Sequence, residues 1–307
     1  MNPLLATLGG KLTERWLNLL VLPGALFLAA TAVGTTLGHR HWNDIDRLRT
    51  TLDDLAARPV LDRTGTATLL VALVLLTATA VSLSAQFLGG VIERYWLRFA
   101  RDPLSHALVD RRRRKWRRRE QELNAAYPVV RIDAEDGDTV PTRAQPFARI
   151  QALTDARNHV ALREPTRPTW YGDRMQATAD RVEAAYGVDL AALWPRLWLI
   201  LPEPAVRHIQ SAHNSFSVAA RLAAWAVGYA LLACWWWPAA LVAVGCAAVA
   251  RSRARDALAA LAGLIEAAVD VHGRELAGRV GLIGTDSAGL LGHEAGDRMS
   301  ELFRKAE

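Results

Sequence analysis

His39-Arg40-His41, with Asp44 and Asp46 close behind, is the constellation in this sequence nearest to a metal site. Two histidines two residues apart can grip a metal from an extended strand, but no residue supplies a defined fourth ligand, so no metal is expected. His208 and His213 stand five apart and do not share a helix face. Gly9-Gly10-Lys11-Leu12-Thr13 has the residue types of a phosphate loop without the full spacing or a preceding strand. Asp133, Glu135, Asp136 and Asp138 surround Gly137 in an order that does not match a calcium loop, and they read as a solvated turn. No G-x-S-x-G elbow occurs. The two cysteines, Cys234 and Cys246, lie inside one apolar stretch and read as plain buried thiols, neither a disulfide framework nor a zinc site. Catalytic residues, metals and cofactors are therefore all expected to be absent, and the chain reads more as a non-enzyme than as an enzyme.

The strongest single feature is basic. Arg111, Arg112, Arg113, Arg114, Lys115, Trp116, Arg117, Arg118 and Arg119 form one nearly unbroken cationic run. Such a run attracts anionic lipid headgroups at about 1 kcal/mol per basic residue near the surface. It could instead contact nucleic acid, with Trp116 stacking on a base, or another acidic partner. The plain alternative is a solvated helix face that fixes membrane topology. The net charge of +6 is discounted as a sign of nucleic-acid binding. Arginine supplies nearly all the positive charge, since lysine occurs only at Lys11, Lys115 and Lys305, and alanine is abundant, as in the proteins of GC-rich bacteria. Anionic phospholipid is the expected partner and nucleic acid is not.

The elements that position this run are set by hydrophobicity. Three stretches carry no charge: Trp16–Gly38, Thr64–Ile92 and Leu222–Ala250. Each exceeds the roughly 18–20 residues that carry a helix across about 30 Å of hydrocarbon. Helices are expected there because a backbone in lipid must satisfy its own hydrogen bonds. In the first stretch Pro23-Gly24 should kink the helix. A cleaved signal peptide is the rival reading, with Lys11 and Arg15 ahead of an apolar core at Leu17–Leu28 and a small-residue site at Ala30-Thr31-Ala32. The apolar run continues past that site, which favours a retained anchor. The second stretch leads into Tyr95 and Trp96 among arginines, the composition of a headgroup-level belt. Asp102-Pro103 then reads as a helix restart. In the third stretch Trp235-Trp236-Trp237-Pro238 sits midway. Tryptophan prefers the interface, so a hairpin turning at 235–238 is favoured over one long span. Arg221 and Arg251 would anchor its two ends by snorkelling. No carboxylate lies in any of these stretches, which argues against proton-coupled transport.

Charge sets the orientation. Basic residues crowd 93–216 and follow Ala250, whereas the arginines and aspartates of 39–63 balance. The positive-inside rule then gives one arrangement. Residues 1–15 are cytoplasmic, 16–38 cross, 39–63 face outward and 64–92 return. A basic helical cytoplasmic domain follows at 93–216, then a membrane hairpin at 217–250 and a cytoplasmic tail at 251–307. The expected fold is an all-α membrane protein with about four transmembrane helices in two hairpins and a mostly helical cytoplasmic domain, in a bacterial inner membrane with both termini inside.

Within the cytoplasmic parts, 103–126 read as a charged helix and Tyr127–Ile132 as a short strand. Gly172–Tyr186 reads as a helix, with Met175, Ala179, Val182 and Ala185 at helical spacing and Gly187 as its cap. Asp189 caps a short helix with Trp194, Leu197 and Trp198, interrupted at Pro195. After Pro202 and Pro204 another helix leads into the apolar stretch. The tail opens as an amphipathic helix with Leu258, Leu261, Leu264, Ile265 and Val269 on one face, broken at Gly281–Gly284, and a short helix closes the chain. Pro168-Thr169-Trp170-Tyr171-Gly172-Asp173, Tyr186-Gly187-Val188-Asp189 and Trp194-Pro195-Arg196-Leu197 together resemble a pattern in uncharacterised bacterial membrane proteins, especially of actinomycetes. That resemblance covers about 30 residues, implies asparagine where this chain has Asp173, and brings no activity. Physically, Thr169 and Gly172 read as a helix start, Tyr186, Gly187 and Asp189 as a stop and restart, and Trp194, Pro195 and Arg196 as an aromatic anchor. The function expected is a membrane scaffold or interaction protein. Self-association is favoured by spans rich in alanine and glycine. A pore-forming oligomer is the first alternative and a membrane enzyme with a site assembled from scattered residues the second.

Overall fold

Segments of this chain without charge form helices, and so do those crowded with arginine. In a computed structural model describing residues 21–57, 64–100, 102–135, 144–284 and 289–304, every element is a helix. In chain order these are α1 (Leu22–Leu37), α2 (Ile45–Ala56), α3 (Thr64–Leu97), α4 (Pro103–Glu135), α5 (Ala144–Asn158), α6 (Trp170–Tyr186), α7 (Leu190–Ile200), α8 (Glu203–Leu232), α9 (Pro238–Arg279) and α10 (His293–Arg304). Two of them are long and apolar enough to cross a membrane: Gly65–Leu97, with mean hydropathy 2.2, and Glu203–Leu232, with mean hydropathy 1.4. The chain divides into two compact units. One comprises Met1–Glu93 with Ser217–Ala254, the other Arg94–Phe216 with Arg255–Glu307.

The first unit is built on close approach of small residues. A methyl group at Gly24 of α1 would stand 2.0 Å from the Ala78 carbonyl oxygen of α3. At Gly89 of α3 it would stand 3.0 Å from the Arg221 Cα of α8, and at Gly228 of α8 it would stand 3.3 Å from the Phe27 ring. Phe27 also meets Trp225 and Tyr229 at 5.7 and 5.2 Å between ring centres. The buried apolar residues here are mostly alanines: Ala78, Ala85, Ala219, Ala220, Ala224, Ala239 and Ala243. The large apolar side chains point outward instead, with Leu69, Val71, Leu73, Leu76 and Phe87 of α3 and Leu241 and Val244 of α9 more than half exposed. Only 11% of the most apolar window of α3 is buried. Hydroxyls on these helices turn back on their own backbone. Thr31, Thr77, Thr79 and Ser84 each donate to the carbonyl four residues earlier, so none needs a water partner. Contacts fix the helix directions: Gly89 and Glu93 of α3 meet Arg221 and Ser217 of α8 in reversed order, so these two run antiparallel. At the other end, His39 reaches the Cys234 carbonyl at 2.9 Å and Trp42 packs edge-on against Trp237 at 5.0 Å. The connection after α1 and the turn after α8 therefore share one end of this unit.

The second unit packs the opposite way. Phe216, Leu193, Leu197, Leu258, Met299, Val188 and Val269 are the bulky side chains that it buries almost completely. The stripe expected along the tail helix is inward: Leu258, Leu261, Ile265 and Val269 are buried and Leu264 is half-buried. Gly187 ends α6 in the left-handed conformation (φ 68°), donating its N–H to the Glu183 carbonyl. Asp189 caps α7 by accepting from the Ala191 and Ala192 N–H groups.

Three local expectations are corrected. Residues 127–132 form no strand but continue α4 through Glu135, taking Asp133 and Glu135 with them. A lone strand would need a partner for its ladder, and none exists among the described residues, whereas Pro128 in a helix forfeits one hydrogen bond. Pro195 does not interrupt α7, which runs through it to Ile200. The tryptophan turn is wider than expected at its start: α8 ends at Leu232, residues 233–237 turn, and Pro238 opens α9 in the N-terminal position where a missing N–H costs nothing. Pro23 stands in the first turn of α1, preceded by Val21 with helical dihedrals. The phosphate-loop-like segment, the charged end of the signal-peptide reading and residues 136–138 of the acidic turn lie outside the described residues.

Candidate functional site

The arginine run occupies about two and a half turns of α4, and the helix divides it by face. Ser105, Val109, Leu123 and Ala126 are buried, and their spacing carries an inward stripe through Arg112, Trp116 and Arg119. Arg111, Arg114, Lys115 and Arg118 fall at i, i+3, i+4 and i+7 and are all exposed.

The inward members hold the non-helical segment between α5 and α6. Arg112 donates to the Val160 and Arg167 carbonyls, both at 2.7 Å, and pairs with Asp173. Arg113 donates to the Pro165 carbonyl at 2.8 Å and Trp116 to the Ala161 carbonyl at 3.0 Å. Arg117 grips Glu164 through two nitrogens. Asp173, itself buried, accepts in turn from the Thr166 and Arg167 N–H groups at 2.9 and 2.8 Å. A loop that leaves helical geometry exposes carbonyls and N–H groups that must find partners, and here the guanidinium forks supply many of them. Arg119 and Arg118 both reach Glu122 within α4. Arg111, Arg114 and Lys115 make no ion pair among the described residues.

The motif around 168–196 proves to be a set of helix ends and docking points. Thr169 caps α6 by accepting from the Gly172 N–H, and its hydroxyl donates to the Trp96 carbonyl. A methyl group at Gly172 would stand 2.7 Å from Arg167 Cδ, so this position is filled by its neighbours. Trp96 stacks on Tyr171 at 4.4 Å and leans on Phe216, so it packs within this unit, while Tyr95 is exposed. Burial lowers the Arg167 pKa against the raising effect of Asp173, and its guanidinium lies 3.5 Å over the Phe99 ring. Farther along, α10 seats on the α6–α7 junction. A methyl group at Gly296 would stand 1.8 Å from the Tyr186 carbonyl oxygen. Ser300 donates to the Gly187 carbonyl and accepts from the Asp189 N–H. Arg304 donates twice to Asp189, and Arg196 lies over Phe303 at 4.8 Å. Burial raises the Asp189 pKa, but Arg304 and the two capping N–H groups outweigh it and hold the carboxyl below its ordinary value. Trp194 and Trp198 are half-buried and tilt against each other at 5.8 Å.

A further ionic cluster had no signal in the sequence. Glu266 of α9 faces Arg174 and Arg181 of α6 and accepts from Thr178 at 2.8 Å. Burial pushes this carboxyl up, yet its hydrogen bonds from Arg181 and Thr178 and the two positive charges bring it below the ordinary range. Such a group is a structural tie, with every charge matched.

The residues that resembled a metal pair are used otherwise. Asp44 caps α2 by accepting from the Arg47 N–H at 3.0 Å. His41 meets Arg47 at 3.1 Å, while His39 turns to Cys234. Among the described residues no three His, Cys, Asp or Glu side chains converge on a metal position. Of the expected interface anchors, Trp235 and Trp237 are exposed at the turn, Trp236 is half-buried against Gly34, and Arg221 and Arg251 are exposed. Cys234 is exposed in that turn and not buried as expected, because α8 has already ended there. No protein-family model, curated protein or solved structure matches this chain.

Proposed function

We propose that this chain is an integral membrane scaffold or interaction protein, crossing a bacterial inner membrane four times and presenting a basic helical domain to the cytoplasm. The observation that carries the reading is the inverted packing of the first unit, where alanine and glycine fill the interior and leucine, valine and phenylalanine face out. Water would drive those side chains inward, at about 25 cal/mol for each Å² of apolar surface buried. Lipid provides no such drive between helices, and association then rests on close contacts between small residues. The hairpin follows from the second unit: 94–216 and 255–307 fold together, so both must lie on one side of a membrane, and 217–254 must cross it an even number of times. The arginine run belongs to that unit, and the positive-inside rule sets it in the cytoplasm. The exposed stripe of Arg111, Arg114, Lys115 and Arg118 is the surface for anionic headgroups. Trp116, with its N–H committed to the Ala161 carbonyl, is not free to stack on a base.

The test uses the native thiol in the turn. In a Cys246→Ala background, Cys234 in intact cells should react with a membrane-impermeant maleimide. A cysteine placed at Arg118 in a background without native thiols should react only after permeabilisation. Labelling of both from outside, or of neither until lysis, overturns the topology.

A further inference from the structure

α2 is a twelve-residue helix on the outward connection, and nothing in its own unit covers its apolar face. Its sequence, IDRLRTTLDDLA, places positions 45, 48, 52 and 55 within one arc of the helix, with Thr50 and Asp54 on the opposite side. Ile45 is 65% exposed, a poor position for isoleucine in water. The helix is fixed at its start: Asp44 caps it, His41 meets Arg47, and Trp42, one residue from the cap, packs on Trp237. It thus begins at the level where Trp42, Trp235 and Trp237 lie exposed at the end of the bundle. Resting on the membrane reading above, we propose that α2 lies in the plane of the outer leaflet, with positions 45, 48, 52 and 55 sunk among acyl chains at the headgroup boundary. The occupant of this face is lipid because the face continues the apolar flank of the bundle at the depth tryptophan favours. Asp46, Arg47, Arg49, Asp53 and Asp54 nearly balance, so the attraction is apolar, and a zwitterionic bilayer suffices. The outward connection then serves as a float that fixes the height and tilt of α1.

The experiment places single spin labels at Ile45→Cys, Leu48→Cys, Thr50→Cys and Asp54→Cys in a Cys234→Ala/Cys246→Ala chain reconstituted in phosphatidylcholine vesicles. Leu73→Cys in α3 serves as the reference for lipid. Accessibility to oxygen, which concentrates in lipid, is read against a water-soluble nickel complex. The expected result is a severalfold higher oxygen-to-nickel ratio at 45 and 48 than at 50 and 54, approaching that at 73. Equal ratios at all four α2 positions mean a helix standing in water. Low access of both reagents at 45 and 48 means a face covered by protein. Either result overturns the proposal while a lipid-like Leu73→Cys leaves the membrane reading intact. Nickel access at 73 overturns both.

Discussion

At Asp173 one buried carboxylate receives the Arg112 guanidinium and two backbone N–H groups of the 159–169 segment. Removing one partner of such a pair leaves the other charge desolvated and unmatched, at a cost of about 3–5 kcal/mol when the site is well buried. Asp173→Ala should therefore lower the unfolding temperature of the second unit markedly. Asp173→Asn, which keeps an acceptor for Thr166 and Arg167 but not the charge, should fall between it and the parent chain in circular-dichroism melts. That intermediate value would explain how related sequences could carry asparagine here, provided position 112 changes with it. Asp189 gives a pH signature. Its folded pKa lies below the ordinary 3.8, so its stabilisation is fully present above that value and fades as pH falls through the lowered one. Glu266, below its ordinary 4.5, acts in the same direction. The melting temperature of the second unit should decline as pH drops from about 4.5 towards 3, where these carboxylates protonate. Asp189→Asn should flatten part of that decline and speed hydrogen exchange in α10, since its ion pair with Arg304 is lost.

Among the elements, α1 and α3 touch where Gly24 meets the Ala78 carbonyl, with no room for a methyl group. Gly24→Ala should force the helices apart and cost about 1–3 kcal/mol, as overpacking does. Gly245 in α9 faces open space, so Gly245→Ala should gain up to about 1 kcal/mol from helix propensity alone. Opposite shifts in thermal unfolding of the detergent-solubilised chain would separate packing from propensity. The helices themselves were legible. Runs without charge, the Gly187 and Asp189 ends and the tail stripe each follow from spacing and capping rules that act over a few residues. The division of the arginine run was not. A run of one residue type has no hydrophobic period, and only the neighbouring Val109, Leu123 and Ala126 show which face turns inward. Nor was the reach of Arg112 and Arg113 to carbonyls about fifty positions away, because contacts between distant segments leave no local trace.

For the whole molecule, the two packing modes imply two different responses to solvent. Arg111, Arg114, Lys115 and Arg118 form a stripe of four positive charges along α4 with little internal neutralisation, since Arg118 alone is paired, through an exposed contact to Glu122. Exposed contacts of that kind contribute about 0–1 kcal/mol, so the stripe keeps nearly its full field. An anionic surface within a Debye length, about 10 Å at 0.1 M salt, should bind it, and added salt should weaken that binding. In nanodiscs, exchanging phosphatidylcholine for a mixture with one-third phosphatidylglycerol should raise the unfolding temperature of the parent chain at low salt. Arg111→Gln/Arg114→Gln/Lys115→Gln should abolish most of the rise and leave the zwitterionic value unchanged, because none of the three holds the fold. Substituting Arg113 and Arg117 instead should lower the melting temperature in both lipids, since those side chains tie down the 159–169 segment. Equal anionic stabilisation in the parent and the triple variant would mean that the stripe is a topology signal and a solvated face, with the headgroups bound elsewhere.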